Sequence, residues 1–191
     1  MTNSLEENYP DEVRIKLGTG GFLDVEGLEN HMTFVIQGTQ LNKIFTHHQN
    51  SLFNWNIRKF LKHGSSINRR ISETIVNSPE TFYYLNNGIS ALCDNFELNK
   101  VNRELIIKRL QIVNGMQTIG AIGSISVQEH FSQLSKTQVL VKLTAVKQAS
   151  NEKVIAGAII RANNTHNLIT PSQKQHWEEI YMKGKDHVGT A

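Results

Sequence analysis

Gln111-Ile112-Val113-Asn114-Gly115-Met116-Gln117-Thr118 is the stretch that decides the fold. Leu105 to Val113 reads as a strand, interrupted only by Lys108-Arg109, and it runs straight into Asn-Gly. Beyond Gly115 the apolar residues Met116, Ile119, Ile122 and Ile125 keep helical spacing up to about Phe131. A strand, a tight turn and a helix in that order bring free backbone N–H groups and the positive end of a helix dipole to the turn, where an anion is favoured. Asn114 and Gln117 would present amides there and Thr118 a hydroxyl, while Gly115 would let a ligand phosphate approach the backbone. Two quieter readings stand beside this one. An Asn-Gly hairpin would need an alternating strand after the turn, and Met116 to Ile125 does not alternate. A plain helix cap would use the same polar residues without any ligand.

Outward from this unit, strands and helices interleave. Val13 to Leu17 alternates apolar and charged residues, and Met32 to Ile36 reads as a more buried strand. A helix follows from Thr39, its expected N-cap, through Leu41, Ile44 and Phe45. The cluster Leu52 to Leu61 is expected to be helical in its second half, and Ser66 to Val76 predicts another helix. Pro79 opens a short helical turn, and Gly88 to Cys93 leaves the Asn86-Asn87-Gly88 turn as a strand. Phe96, Leu98 and Val101 suggest irregular extended chain. Val139 to Val146 is the clearest strand, Glu152 to Ala162 a helix, Asn163 to Thr170 a polar loop, and Pro171 opens a last amphipathic piece with Trp177. The expected class is α/β or α+β: a mixed sheet with interleaved helices and the strand–turn–helix at its centre. Residues 1–30 form an acidic lead-in, 31–182 the main domain, and 183–191 a polar tail.

The 191 residues carry 20 Lys+Arg against 17 Asp+Glu, a net charge of +3 that conceals an uneven distribution. Acidic residues crowd the first 29 positions. From Asn30 to Ser72 there is no Asp or Glu, yet Lys43, Arg58, Lys59, Lys62, Arg69 and Arg70 all fall there. Such a segment either neutralises the acidic start within the fold or steers a polyanion. The 19 Asn gather in pairs and beside Gly, as turns need and as an amide-lined site would also need. One cysteine, Cys93, excludes a disulfide framework and a Cys-based zinc site. The absence of an apolar run of membrane length and of a secretory leader leads to the expectation of a soluble, cytoplasmic protein with no membrane partner.

Other segments can carry chemistry. Tyr83-Tyr84-Leu85-Asn86-Asn87-Gly88 could stack a base on its aromatics and bond the base edge with its amides; the alternative is core aromatics before a type I′ turn. Asn164-Thr165-His166-Asn167 is a polar loop after an apolar helix, or simply a C-terminal cap. His47-His48 point in different directions on a helix with no carboxylate near in sequence, so no metal site and no cofactor are expected. Arg58 and His63 form an Arg-x4-His pattern that looks like the signature of HEPN-type ribonucleases, a cation for phosphate and an imidazole for proton transfer.

Taken in order, five segments resemble a known family. Leu52-Phe53 with Asn56 to Leu61, Asn68 to Thr74, Pro79-Glu80 with Phe82 and Asn86 to Ile89, Gln111 to Gly115 with Gln117-Thr118, and Asn164 to Asn167 are similar to the successive motifs of the AIPR family, named for abortive infection phage resistance. The resemblance runs from about Phe34 to Gln173, with His166 standing where the family has Gln. It implies a bacterial phage-defence protein, with restriction–modification or other defence proteins as possible partners, and it implies no particular reaction. The expected role is a nucleic-acid or nucleotide-binding module. Its site would draw on Asn86, Asn87, Gly88, Asn114, Gly115, Gln117, Thr118, Arg58, Arg69, Arg70, Asn164 and Asn167. A ribonuclease or nucleotide hydrolase, with Arg58 and His63 as the catalytic candidates, and a non-catalytic interaction domain are the alternatives.

Overall fold

A computed structural model describes residues 9–18, 21–23, 27–55, 66–146 and 152–164. In chain order the elements are β1 (Glu12–Lys16), β2 (Phe22–Leu23), β3 (His31–Gln37), α1 (Gly38–His48), α2 (Ser66–Asn77), α3 (Phe82–Leu85), β4 (Ile89–Cys93), β5 (Asn95–Asn99), β6 (Glu104–Lys108), β7 (Gln111–Asn114), α4 (Met116–Gly123), α5 (Val127–Lys136), β8 (Gln138–Ala145) and α6 (Glu152–Asn164). Short 3-10 turns cover Gln49–Phe53 and Pro79–Thr81.

Two sheets result, and the fold is α+β. The larger is ordered β2-β3-β8-β4-β7, antiparallel except where β4 runs parallel to β8. The smaller is the antiparallel sheet β1-β6-β5, in which β1 adds to the β5–β6 hairpin. Alternation fixes which face each strand buries. Met32, Phe34 and Ile36 of β3, Val139, Val141 and Leu143 of β8, and Ile89, Ala91 and Cys93 of β4 share one core with Leu41, Ile44, Ile119 and Ile122 from α1 and α4. The opposite face is covered at the β4–β7 end by α6, where Leu92 and Val113 meet Ala156 and Ile160.

Several local expectations are corrected. The run from Leu105 to Val113 is two strands in two different sheets, divided at Arg109, which adopts a left-handed φ of 54°. Phe96 and Leu98 lie on a regular strand, β5, and not in irregular chain. The chain leaves the large sheet at Asp94 and returns to it after Arg109, and an ion pair of 3.4 Å ties these two crossing points together. Arg109 also lies 4.3 Å over the Tyr9 ring. The helix expected up to about Phe131 is two: α4 ends at Gly123, and Ser126 caps α5 by accepting from the Glu129 N–H. Thr39 does not cap α1, which begins one residue earlier, after Gln37.

The α4–α5 break is held from across the core. Buried Asn42 donates its Nδ2 to the Ile122 carbonyl (2.7 Å) and to the Ile125 carbonyl (3.0 Å). Those carbonyls lie where α4 ends and the chain turns toward α5, and the Ile122 carbonyl also accepts from the Ile125 N–H at 3.3 Å. Asn42→Leu keeps the volume and takes a buried donor from both acceptors, so it is expected to lower stability by about 1–3 kcal/mol. Urea unfolding reads this as a lower midpoint at unchanged slope.

Candidate functional site

The strand–turn–helix forms as its sequence dictates. Gly115 is left-handed, at φ 91° and ψ 18°, and stands as the N-cap of α4. This excludes the hairpin. No side chain caps the helix, since the Asn114 Oδ1 accepts instead from the Gly115 N–H at 2.9 Å. The Gln117 Oε1 is buried with no hydrogen-bond partner among the described residues.

The Asn86-Asn87-Gly88 turn packs directly on this unit. A Cβ at Gly115 would stand 2.8 Å from the Gly88 carbonyl oxygen and 2.9 Å from the Ile89 Cγ1. A Cβ at Gly88, itself at φ 76°, would run into the Leu140 backbone of β8. Two glycines therefore let two turns and a strand touch backbone to backbone. The Asn86 Oδ1 accepts from the Gly88 N–H (3.0 Å) and from the Thr118 hydroxyl (3.3 Å), joining the two motifs. Asn86 is extended and only Gly88 of the three is left-handed, so the turn is not type I′. Asn87 is exposed.

A third amide joins from the far side. The Ser90 hydroxyl, two residues after Gly88, donates to the Asn163 Oδ1 at 2.8 Å, and the Asn163 Nδ2 donates to the Ile159 carbonyl. Asn163 and Asn164 close α6 and do not open a loop as expected. Arg58, His63 and Asn167 lie outside the described residues, as does the piece expected around Trp177.

Beside the joined turns, α2 and α3 enclose a cleft of about 220 Å³ lined by Ile67, Arg70, Ile71, Thr74, Phe82, Leu85 and Asn86. Both arginines of α2 are exposed: Arg70 lines the cleft, and Arg69 pairs with Glu73 at 3.5 Å. Tyr83 and Tyr84 are not core residues. They are 41% and 83% exposed, edge to face with centroids 5.7 Å apart. Leu85 and Ile67 are also exposed at the cleft mouth.

Two reactive-looking groups are quiet. Burial, reinforced by the neighbouring Asp94, pushes the Cys93 thiol up to about 12, so no thiolate forms near neutral pH. The His47 and His48 rings pack edge to face, and burial, then the neighbouring His47, lowers the pKa of His48. Among the described residues no three His, Cys, Asp or Glu side chains group as metal ligands, and no helix is long and apolar enough to cross a membrane.

No curated protein and no solved structure matches the chain. Residues 53–187 match the family described as AIPR protein, and that span contains α2, the cleft and both amide turns. The membership supports a role in abortive infection and phage defence. With most of its length inside the match, including the motifs that build the joined turns, the chain belongs to the AIPR family.

Proposed function

We propose that the chain acts in phage defence as a module that binds nucleic acid or nucleotide at the α2–α3 cleft. The observation that carries this reading is one cleft that combines Arg70, the Asn86 amide and apolar walls, with two exposed tyrosines beside it. A guanidinium binds a phosphate through paired N–H donors. Ile67, Ile71 and Leu85 suit the flat apolar faces of a base or sugar. The oxygen of Asn86 is committed to Gly88 and Thr118, which fixes the side chain and leaves its NH2 donors for a ligand acceptor. Tyr84, with most of its ring in solvent, offers a stacking face, and base–aromatic stacking contributes about 1–3 kcal/mol per base.

The test is binding of labelled single-stranded RNA, single-stranded DNA and nucleotides across a salt series. Arg70→Gln is expected to weaken binding about 10-fold and to reduce the salt slope by about one, since each phosphate contact releases about one counterion. Tyr84→Ala is expected to weaken single-strand binding by about 10-fold with little change in that slope. Absence of salt-dependent binding to every one of these ligands would sink the proposal.

A further inference from the structure

We infer that the ligand is a single-stranded polynucleotide that crosses the Asn-Asn-Gly turn, with one backbone phosphate held at Lys142 on the outer face of the large sheet and another nucleotide in the Arg70 cleft. This rests on the nucleic-acid reading above and narrows it from nucleotide to polymer.

The outer face carries a polar row that the strand register assembles. Thr33 of β3 is the partner of Lys142 of β8, Lys142 is the partner of Ser90 of β4, and Ser90 is the partner of Asn114 of β7. Directly opposed residues share a face. Ser90 faces α6 through its bond to Asn163, which places this row on the side away from the main core. Lys142 is exposed and lies between Val141 and Leu143, both buried in that core. The adjacent pair in the register is His31 and Thr144, and the His31 ring is bonded through both nitrogens, to Thr144 Oγ1 and Thr33 Oγ1, each at 3.1 Å. A cation, three hydroxyls and an imidazole thus occupy one surface with no carboxylate in the two rows. The Ser90 proton goes to Asn163 and one threonine proton to the unprotonated nitrogen of His31, which leaves Lys142 and the other threonine hydroxyl as donors to a phosphate diester. Burial, then the charge of Lys142, lowers the pKa of His31, so the imidazole stays neutral near pH 7 and Lys142 is the cation of the row.

Continuity with the cleft comes from the backbone. Gly88 abuts Leu140, two residues before Lys142, and Ser90 follows Gly88 by two residues. The row therefore begins where the turn that carries Asn86 ends. Arg70 stands on the helix layer over the inner face and Lys142 on the outer face, and packed layers are about 10 Å apart. One nucleotide does not bridge them, whereas a short single strand passing over the end of β4 does.

The experiment uses the whole chain with AMP and with single-stranded RNA and DNA oligonucleotides of increasing length. Lys142→Gln is expected to weaken the longer oligonucleotides about 5- to 10-fold and to lower their salt slope by about one, with AMP binding unchanged. Lys142→Glu should weaken them further, and both variants should melt like the parent because the side chain is exposed. Lys43→Gln, an exposed cation on α1, should leave affinity and slope unchanged. If Lys142→Gln binds every length as the parent does while Arg70→Gln weakens all of them, the polymer path is overturned and the cleft stands. An equal loss with Lys43→Gln would also overturn it, because general charge would then explain the effect. If no oligonucleotide and no AMP binds, the nucleic-acid reading itself falls. Whichever of the RNA and DNA arms binds more tightly identifies the sugar.

Discussion

Gly88→Ala is expected to lower stability by about 3–5 kcal/mol, whereas Gly27→Ala is expected to cost about 1 kcal/mol. Both glycines are left-handed, at φ 76° and φ 81°, so both variants incur the roughly 1–2 kcal/mol of placing an L-residue there. They differ in what surrounds them. A methyl group at Gly27 meets nothing within 4 Å. At Gly88 it meets the Leu140 carbonyl and the Leu140 Cβ, so either β8 moves away or the turn does. Overfilling a packed site adds about 1–3 kcal/mol, more where backbone has to shift. For a chain of this size each kcal/mol lowers the melting temperature by about 2–4 °C, so the two variants should separate by several degrees. Denaturant unfolding of both supplies the comparison, with Gly27→Ala reporting the conformational part alone. Equal losses would mean that the close approach of the Asn-Asn-Gly turn to β8 is not present in solution.

Gln111→Met should cost about 2–4 kcal/mol and should do so without changing ligand contacts directly. Gln111 opens the stretch that defines the fold, yet its side chain is fully buried and bonded to backbone beyond α1. Its Oε1 accepts from the Trp55 N–H at 3.2 Å, and its Nε2 donates to the Ser51 and Leu110 carbonyls at 2.9 Å. One amide thereby pins the 3-10 turn after α1 to β7. Methionine keeps the volume and leaves these backbone groups without their partner, the situation in which a lost hydrogen bond costs most. Gln111→Glu retains an acceptor for Trp55 but buries a carboxyl and loses the donor to the Ser51 and Leu110 carbonyls, and should be no better tolerated. Thermal unfolding checks both variants. A Gln111→Met protein that melts with the parent would show that the 3-10 turn is held by other contacts.

The strand–turn–helix was legible because a change of apolar period at Asn114-Gly115 has one simple structural solution. Its partner turn was legible only as a motif. That Gly88 and Gly115 touch depends on β4 pairing with both β7 and β8, a long-range fact that no local pattern carries. The division of Leu105 to Val113 was hidden because the chain turns at Arg109, a non-glycine in a left-handed conformation. The break after Gly123 was readable in principle, since Ser126 and Glu129 have the spacing of a helix cap. Exposure was the least legible property. Tyr83 and Tyr84 look like core on composition, yet α3 buries only Phe82. Lys142 was concealed inside the clearest strand, where alternation alone already set it opposite Val141 and Leu143.

The placement of β8 has a consequence for how this protein is made. It is the late strand that joins β3, from the first quarter of the chain, to the β4–β7 pair. Until it leaves the ribosome, β3 and β4 have no common neighbour, and the large sheet exists as two separate edges. Pairings between distant segments form slowly and late. A ribosome that stalls before residue 138 therefore releases a chain with no completed surface, neither the Lys142 row nor the β8 backbone on which Gly88 rests. Whatever this protein does to an infected cell, it can begin only after synthesis has passed that strand.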